Sequence, residues 1–406
     1  MRRMNTPVEI AALKQTVIGH AAAADGIAAI AGEAAEIAAR VADGEEVVPD
    51  VSFAAIEHGG VPADLPALVR RRGCVVVRGT FAPAQAAAWD AEIADYLAAN
   101  GADARSHALR PGRWGSGAPQ MYSVYWSRPQ VLARQSSRMA TLRRWLNRLW
   151  HWSGQFDPDG DCTYADRIRR RLPGDTMLAL GPHIDGGVAG RWLDPAMRVP
   201  YRAVFAGDLA GFDPFAAAGR VAATGPDRNA CAAFRSWQGW TALTAQGPGD
   251  GTLQVVPIAR AIAAVLLRPL LADVPAGSLC GAESGSALRP VAEWHADLLR
   301  ALVPIPRVAP GDSVWWHPDL IHAVEARHDG SAPSNVMYIP AAPDCPRNRA
   351  ALPAQYAAFV AGRSPPDFPA DDLETRFTGR AGPELLDAAG RRQMGLMSGS
   401  APSDGR

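Results

Sequence analysis

Three residues of this sequence have the types and spacing of a metal site: His183, Asp185 and His322. His183 and Asp185 stand two positions apart in GPHIDGG, directly after the apolar run TMLALG, which predicts a strand. Since side chains alternate between the two faces of a strand, both residues would project to one side as adjacent ligands. Alone, an H-x-D pair is weak evidence, because a histidine and an aspartate at a strand end can simply hydrogen-bond each other.

A third ligand is available from the segment APGDSVWWHPDLIHAV at 309–324. Here a turn is predicted at Pro310 and Gly311, a strand over 313–317, and a second turn that presents His322. Two histidines and one carboxylate occupy one face of an octahedral Fe(II) ion and leave three positions open. A bidentate 2-oxo acid can take two of them and O₂ the third, whereas a closed tetrahedral zinc site requires a different ligand set.

His317 competes with His322 for the third position. It lies at the end of the predicted strand beside Trp315 and Trp316, which suits an ordinary core histidine. His328 falls in a polar loop and is expected to be solvated. We favour His322 because it follows the turn and has apolar neighbours that would anchor it.

The order of these motifs resembles that of a known enzyme class. H-x-D, then GWTALTAQGPGDGTLQVVP at 239–257, then GDSVWWH…H is similar to the double-stranded β-helix Fe(II)/2-oxoglutarate-dependent dioxygenases, with the phytanoyl-CoA hydroxylase-like branch nearest. Over nearly its full length the chain resembles the YbiU-like family, through GCVVVRG, YSVYWSRPQVLARQ, LGPHIDGG, FRSWQGWTAL, SNVMYIPAAP and GRRQMGL. The resemblance implies the fold, the iron triad, and 2-oxoglutarate and O₂ as cosubstrates, and it names no substrate.

One departure from that class concerns the cosubstrate. Many of its members carry an arginine ten or eleven residues after the distal histidine, where this chain has Ala332 and Pro333. The next two residues, Ser334 and Asn335, can donate hydrogen bonds but carry no charge. A buried dianion needs charge compensation, and a guanidinium is the natural partner of a carboxylate.

Other residues are therefore candidates for the cosubstrate and substrate contacts. Arg235 and Arg202 are candidates for the cosubstrate carboxylate, and Arg191, just after the H-x-D motif, for a substrate contact. Each arginine has a plain alternative as a surface ion pair. Trp240 and Tyr125 are candidate pocket residues, although core packing is the safer interpretation of most of the aromatic residues.

Composition narrows the function classes. Lys plus Arg and Asp plus Glu each number 41, so the formal net charge is zero and neither nucleic acid nor an anionic membrane is expected as a partner. The one basic run, RIRRR at 167–171, is explained as well by a solvated strand edge as by a binding patch. The five cysteines form no C-x-x-C pair and no signal or membrane segment is found, which favours a cytoplasmic location.

The elements that must position these residues indicate an α+β protein. Helices are predicted over 6–43, with a possible break at Gly26, and over 81–100, 121–152 and 259–271. Strands are predicted at GCVVVRG, TMLALG, YRAVFAG, GWTALTA, GTLQVVP, DSVWWH and SNVMYIP. We expect one domain over 1–406, with a mainly helical N-terminal cap at 1–160, a double-stranded β-helix (jelly-roll) core at 161–345 and a C-terminal wrap at 346–406.

The sequence thus predicts an Fe(II)/2-oxoglutarate-dependent dioxygenase that hydroxylates a small-molecule substrate with release of succinate and CO₂. Two alternatives stay open: a non-catalytic ligand-binding protein of the same fold, and a cupin-like metal-dependent isomerase or hydrolase. The substrate and the oligomeric state do not follow from the sequence.

Overall fold

The computed structural model of this protein describes residues 11–12, 14–15, 20–113, 115, 117–178, 180–185, 190–221, 231–282 and 287–396. Helices and strands both contribute, which confirms the α+β class. The strands are β1 (Asp50–Ser52), β2 (Cys74–Arg78), β3 (Met121–Tyr122), β4 (Asp157–Asp161), β5 (Ile168–Arg171), β6 (Gln238–Ala242), β7 (Leu253–Val255), β8 (Val303–Pro304), β9 (Ser313–Trp316), β10 (His322–Val324), β11 (Ser334–Tyr338) and β12 (Pro343–Asp344).

The largest sheet has seven strands in the order β1-β2-β9-β6-β11-β5-β3. All its neighbouring strands are antiparallel except β1 and β2, which run parallel. The strand β5 lies inside the sheet, between β11 and β3, with Arg169 opposite Val336 and Arg171 opposite Ser334. The predicted solvated edge at 167–171 is therefore wrong: Arg169 is 1% exposed and Arg171 is 0% exposed.

A second sheet faces the first one. It has the order β10-β7-β8, and single backbone bridges at His183 and Ile184 extend the pairing beyond β10 and toward Leu288. The remaining pair, β12 with β4, forms a separate two-stranded sheet.

The helices are α1 (His20–Ala42), α2 (Phe53–His58), α3 (Leu65–Arg72), α4 (Pro83–Ala99), α5 (Ala102–Leu109), α6 (Arg128–Gln135), α7 (Ser137–Asn147), α8 (Gly190–Leu193), α9 (Pro195–Arg198), α10 (Arg202–Phe205), α11 (Ala261–Leu267), α12 (Ala292–Leu299), α13 (Pro346–Ala361) and α14 (Ala388–Gln393). Short 3₁₀ turns lie at Val199–Tyr201, Arg268–Leu270, Leu373–Arg376 and Pro383–Leu385. Among the described residues, no helix is both long and apolar enough to cross a membrane.

The core is divided by the seven-stranded sheet. One face of this sheet packs toward the small sheet, so that Trp240, Val336 and Trp316 share a buried cluster with Ile184 and Val255. The alternate residues, among them Val75, Trp315 and Met337, pack instead against the N-terminal helices. Because of this alternation, the side chains of Arg169 and Arg171 on β5 lie in the space between the two sheets.

Most predicted elements are present, and two predicted strands are wrong. The described residues of TMLALG form no strand, because the Asp175 carboxylate accepts hydrogen bonds from the backbone N–H groups of Met177 and Leu178 and turns the chain there. YRAVFAG is helical, in the 3₁₀ turn at Val199–Tyr201 followed by α10. The helical run begins one turn earlier, where Asp194 caps α9 through a hydrogen bond from Ala196 N.

The predicted helical regions differ from the structure in detail. The region 121–152 contains β3 and then α6 and α7, and α1 runs through Gly26 without a break. A side chain at Gly26 would lie 2.2 Å from the Leu209 side chain, so close packing explains this glycine. Most of 6–19 lies outside the described residues. The cap, core and wrap boundaries stay predictions, although β1, β2 and β3 of the cap belong to the large sheet.

Candidate metal centre

His183 and His322 are joined by their backbones. Each donates its N–H to the carbonyl of the other at 2.9 Å, which forms an antiparallel bridge at the start of β10. The two imidazole rings consequently lie on the same side, with centroids 4.2 Å apart and planes inclined at 48°. A pairing of residues distant in the sequence, and not a continuous strand, thus sets the geometry of the site.

Both imidazoles have one nitrogen committed and one available. His183 Nδ1 lies 2.8 Å from the Gly181 carbonyl oxygen, and His322 Nδ1 lies 2.9 Å from the Leu320 carbonyl oxygen. A carbonyl can only accept, so each Nδ1 carries the proton and each Nε2 presents a lone pair. This arrangement is typical of metal-ligating histidines, whose second nitrogen is oriented by a hydrogen bond to a backbone carbonyl or a carboxylate.

The Asp185 carboxylate completes the group. Its Oδ1 is 3.6 Å from His183 Nε2, and its Oδ2 is 4.0 Å from His322 Nε2. Two atoms that each lie about 2.1 Å from one ion can be at most about 4.2 Å apart, and both distances meet that limit. The candidate ligand atoms of the three residues all lie within 4.8 Å of one another.

The charge states suit metal binding. Burial alone would raise the pKa of Asp185, but the neighbouring His322 and His183 and the more distant Arg235 and Arg167 lower it to about 2. Burial and the nearby His183 lower the pKa of His322 to about 4. At neutral pH the carboxylate is therefore ionised and the His322 imidazole is uncharged, as a metal requires.

The two other candidate histidines, His317 and His328, lie outside the group formed by His183, Asp185 and His322. His317 Nε2 lies 3.0 Å from the Pro214 carbonyl oxygen, its Nδ1 accepts from Asp319 N at 3.0 Å, and its ring stacks on Trp150. With both nitrogens engaged, it has the environment of a core histidine. His328, expected in solvent, is instead 0% exposed, and its Nδ1 accepts from Gly330 N.

A cavity of about 140 Å³ opens beside Asp185. Its walls carry four guanidinium groups and two carboxylates, the second being Asp319. Asp319 accepts hydrogen bonds from Tyr201 Oη at 2.9 Å and Arg191 Nη2 at 3.4 Å, and Arg220 Nη1 lies 2.7 Å from its other oxygen. The lining residues are Asp185, Arg191, Met197, Pro200, Tyr201, Arg220, Cys231, Ala233, Phe234, Arg235, Pro318, Asp319 and Arg347.

Of the other predicted site residues, two border this cavity. Arg191 lies within it, and its Nη2 donates to the Asp185 carbonyl at 2.9 Å. Arg235 also lines it, and the charge of its guanidinium contributes to the low pKa of Asp185. Arg202 does not, because it is exposed on α10 and lines a separate surface pocket with Pro195 and Phe205.

The remaining candidates lie away from the cavity. Tyr125 is 1% exposed and packs with Phe368 in a separate core cluster. Trp240 is 1% exposed in the core between the sheets, in agreement with the core interpretation. Asn335 donates to the Asp90 carboxylate on the outer side of the sheet, and Ser334 donates to Gln246 Oε1 on the inner side.

Arg169 also has the properties of a ligand contact, although no sequence motif marks it. Arg169 projects from β5 between the sheets, where its Nη2 donates to Gln246 Oε1 at 2.8 Å and to Ser334 Oγ at 3.2 Å. Its Nε has no hydrogen-bond partner among the described residues. The guanidinium thus reaches Ser334 at the start of β11. Only the strand pairing reveals this position.

Fold and site together define an α+β protein with a His–Asp–His group of metal-binding type. The chain belongs to the Gig2-like family, which it matches over residues 6–396. It is 44% identical over 377 residues to the uncharacterised protein YbiU of Escherichia coli K12, covering 90% of each chain, and this confirms the predicted YbiU-like relationship.

Two crystal structures show the same fold. A Salmonella typhimurium LT2 protein that is provisionally named an oxidoreductase superposes with a TM-score of 0.88 at 41% identity, over 97% of this chain and 99% of that one. The GlcNAc-inducible Gig2 of Candida albicans superposes with a TM-score of 0.84 at 25% identity, over 100% of this chain and 92% of that one.

Proposed function

We propose that this protein is an Fe(II)/2-oxoglutarate-dependent dioxygenase that hydroxylates a small molecule and releases succinate and CO₂. The observation that carries the proposal is the convergence of two oriented imidazole Nε2 atoms and one ionised carboxylate at His183, His322 and Asp185. Such a set holds one face of an octahedral Fe(II) ion and leaves the opposite face for ligands.

The strand order supports a double-stranded β-helix. From β5 onward, the chain passes repeatedly between the two facing sheets: β5 and β6 lie in the large sheet, and His183, between them in the sequence, bridges to His322 of β10 in the small one. The chain then forms β7 and β8 in the small sheet, β9 in the large, β10 in the small and β11 in the large. This strand order is typical of a jelly roll, and in the proposed fold it would bring the candidate ligands to one end of the barrel.

The residues present also fit 2-oxoglutarate. Arg169 is 1% exposed and bonds only to neutral oxygens, and a buried guanidinium without an anionic partner is costly unless a ligand supplies the anion. Burial raises the pKa of Tyr338, and the charges of Arg169 and Asp185 both act on this residue. We therefore assign Arg169 to the far carboxylate of 2-oxoglutarate, in place of the arginine missing at Ala332 and Pro333.

In this proposal the protein contributes position and exclusion of water. Bound iron with 2-oxoglutarate and O₂ would supply the oxidising power. The backbone bridge between His183 and His322 fixes the two imidazoles, and the apolar cluster around Trp316, whose ring centroid is 5.5 Å from that of His322, keeps this side of the site dry. Asp185 fills the position that a halide would need, which favours hydroxylation over halogenation.

The test is spectroscopic. Anaerobic addition of Fe(II) and 2-oxoglutarate should produce the weak visible charge-transfer band of the chelate, and admission of air should yield succinate. His183→Ala and Asp185→Ala should each abolish iron retention and the band. His317→Ala, a matched histidine whose nitrogens both bond within the core, should keep both.

The outcomes separate the alternative functions. Iron binding without a band would favour a metal-dependent isomerase or hydrolase, and absence of iron binding would favour a non-catalytic ligand-binding protein. Iron loss in His317→Ala with retention in His322→Ala would overturn the choice of ligands.

Within the proposal the partner is a small molecule and the location is the cytoplasm. The nearest branch of the dioxygenases is the phytanoyl-CoA hydroxylase-like one.

A further inference from the structure

We infer that the cavity beside Asp185 binds an anionic group of the substrate, a carboxylate or a phosphate. The inference rests on the proposed function, in which Asp185 holds the metal, because it assigns the adjoining cavity to the molecule that is oxidised. Three arginines carry it: Arg220, Arg235 and Arg347, all in the cavity lining.

Arg220 is the most constrained of the three. It is 8% exposed, and its Nη1 lies 2.7 Å from Asp319 Oδ2. Its Nε and Nη2 have no hydrogen-bond partner within the described part of the chain. Buried donors are nearly always satisfied, and a guanidinium offers its Nε and Nη2 side by side to a carboxylate or phosphate. Arg220 lines the cavity, so an anion bound there would add a partner to its guanidinium.

Arg235 and Arg347 present positive charge to the same space. Arg235 donates to Cys231 Sγ at 3.3 Å and to Gln238 Oε1 at 3.4 Å. Arg347 donates only to backbone carbonyls, those of Ala232, Arg220 and Cys231. Within the described residues neither guanidinium forms an ion pair, so the charges stay available to a ligand.

The charges of the lining do not balance. Its four arginines face two carboxylates, and one of these, Asp185, is the candidate ligand of a divalent cation. The other, Asp319, already receives Arg191 and Arg220. A cavity with excess positive charge and low-dielectric walls attracts an anion and strengthens its binding.

The size of the cavity limits what enters it. Its volume of about 140 Å³ holds a carboxylate or phosphate group. It is smaller than the about 300–1,000 Å³ of pockets that enclose a whole drug-sized ligand. The cavity is thus suited to the charged end of a substrate whose reacting part lies toward Asp185.

The same cavity is a poor place for 2-oxoglutarate. Arg169, the buried guanidinium assigned to that cosubstrate, is absent from the lining and lies between the sheets near Tyr338. The two anions are therefore expected on different arginines, Arg169 for the cosubstrate and Arg220 for the substrate. Arg235, at first a candidate for the cosubstrate, belongs to the substrate group in this assignment.

The experiment uses inorganic phosphate and acetate as probes, titrated separately into the full-length protein at constant ionic strength set with sodium chloride. The thermal midpoint should rise and saturate with at least one probe, and the probe that binds more tightly identifies the preferred anion. Arg220→Gln should weaken the apparent affinity at least about tenfold, since losing one charge-assisted contact costs 1.4 kcal/mol or more. Arg202→Gln, an exposed arginine of the separate pocket, should leave the affinity unchanged.

A second variant keeps the test decisive if Arg220→Gln does not fold. Arg347→Gln alters a half-buried arginine that bonds only to carbonyls, and it should weaken the probe similarly while leaving the charge-transfer band of the iron–2-oxoglutarate complex intact. A midpoint that follows only ionic strength, or probe binding equal in wild type and Arg347→Gln, overturns the inference. Loss of the band in Arg347→Gln overturns it too, because the cavity would then hold the cosubstrate. Absence of the band in wild type would instead contradict the proposed function, while the phosphate and acetate titrations still report on the cavity.

Discussion

Replacing Arg169 by methionine should weaken cosubstrate binding without lowering the stability of the ligand-free protein. Methionine fills the position of the side chain out to Nε with apolar atoms and removes the guanidinium, including the buried Nε that has no partner among the described residues. Gln246 Oε1 would still accept from Ser334 Oγ at 2.7 Å and from Thr252 Oγ1 at 3.2 Å, so no new polar group is left unsatisfied. Since an unsatisfied buried donor costs about 1–3 kcal/mol, the ligand-free variant should be as stable as wild type or more stable by about that amount.

Binding of 2-oxoglutarate should change in the opposite direction. Removing one partner of a buried hydrogen-bonded charge pair costs about 2–5 kcal/mol, so the dissociation constant should rise at least about 30-fold. The assay is a titration of the charge-transfer band with 2-oxoglutarate under anaerobic conditions, paired with the thermal midpoint of the metal-free protein.

Arg171→Met on the same strand is the matched control. Arg171 Nε pairs with Asp175 Oδ2 at 2.7 Å and its Nη1 donates to the Gly251 and Glu325 carbonyls. Its removal leaves a buried carboxylate unpaired and should cost about 3–5 kcal/mol of unfolding free energy. If Arg169→Met lowers the midpoint as Arg171→Met does and leaves the 2-oxoglutarate titration unchanged, Arg169 is a structural residue and the assignment is wrong.

Three further outcomes follow from single buried groups. Asp319→Asn should lower the unfolding free energy by about 3–5 kcal/mol, because two buried arginines lose their shared carboxylate; an unchanged denaturation midpoint would contradict this. Burial raises the pKa of Glu374 to about 7, against the hydrogen bonds it accepts from Tyr125 and Trp126, so its contribution is complete at low pH and is lost as pH rises from about 4.5 through 7. Glu374→Gln should abolish that pH-dependent fall of the thermal midpoint. Gly311→Ala should destabilise strongly, since φ is +90° and a Cβ would lie 2.2 Å from a backbone oxygen; a melt matching wild type would refute this.

The candidate ligands could be read from the sequence because their signals are local. His183 and Asp185 fall within three residues, and the turn before His322 is marked by Pro318 and Asp319. The expected cause of their common orientation, a strand that ends at His183 and Asp185, was only partly right. The two histidines share a face because their backbones pair with each other, whereas the described residues of TMLALG form no strand.

The arginines could not be ranked from the sequence, because their roles depend on strand neighbours. Nothing in RIRRR indicates that its strand lies between β11 and β3, yet this position turns Arg169 inward. The position of Arg202 apart from the cavity has a more local cause. The Asp194–Pro195 pair is a helix-start signal that was present in the sequence, and the helical run it opens places Arg202 on the surface.

The bridge between His183 and His322 has a consequence for the order of folding and metal binding. The two residues are 139 positions apart, so the site forms only after the intervening chain has folded, which is a highly non-local event. The bridge itself is built from backbone hydrogen bonds and needs no ion. The chain can therefore fold without metal and bind it afterwards. Metal binding would then stabilise the folded protein against heat and proteases, by an amount that rises with the logarithm of the free metal concentration.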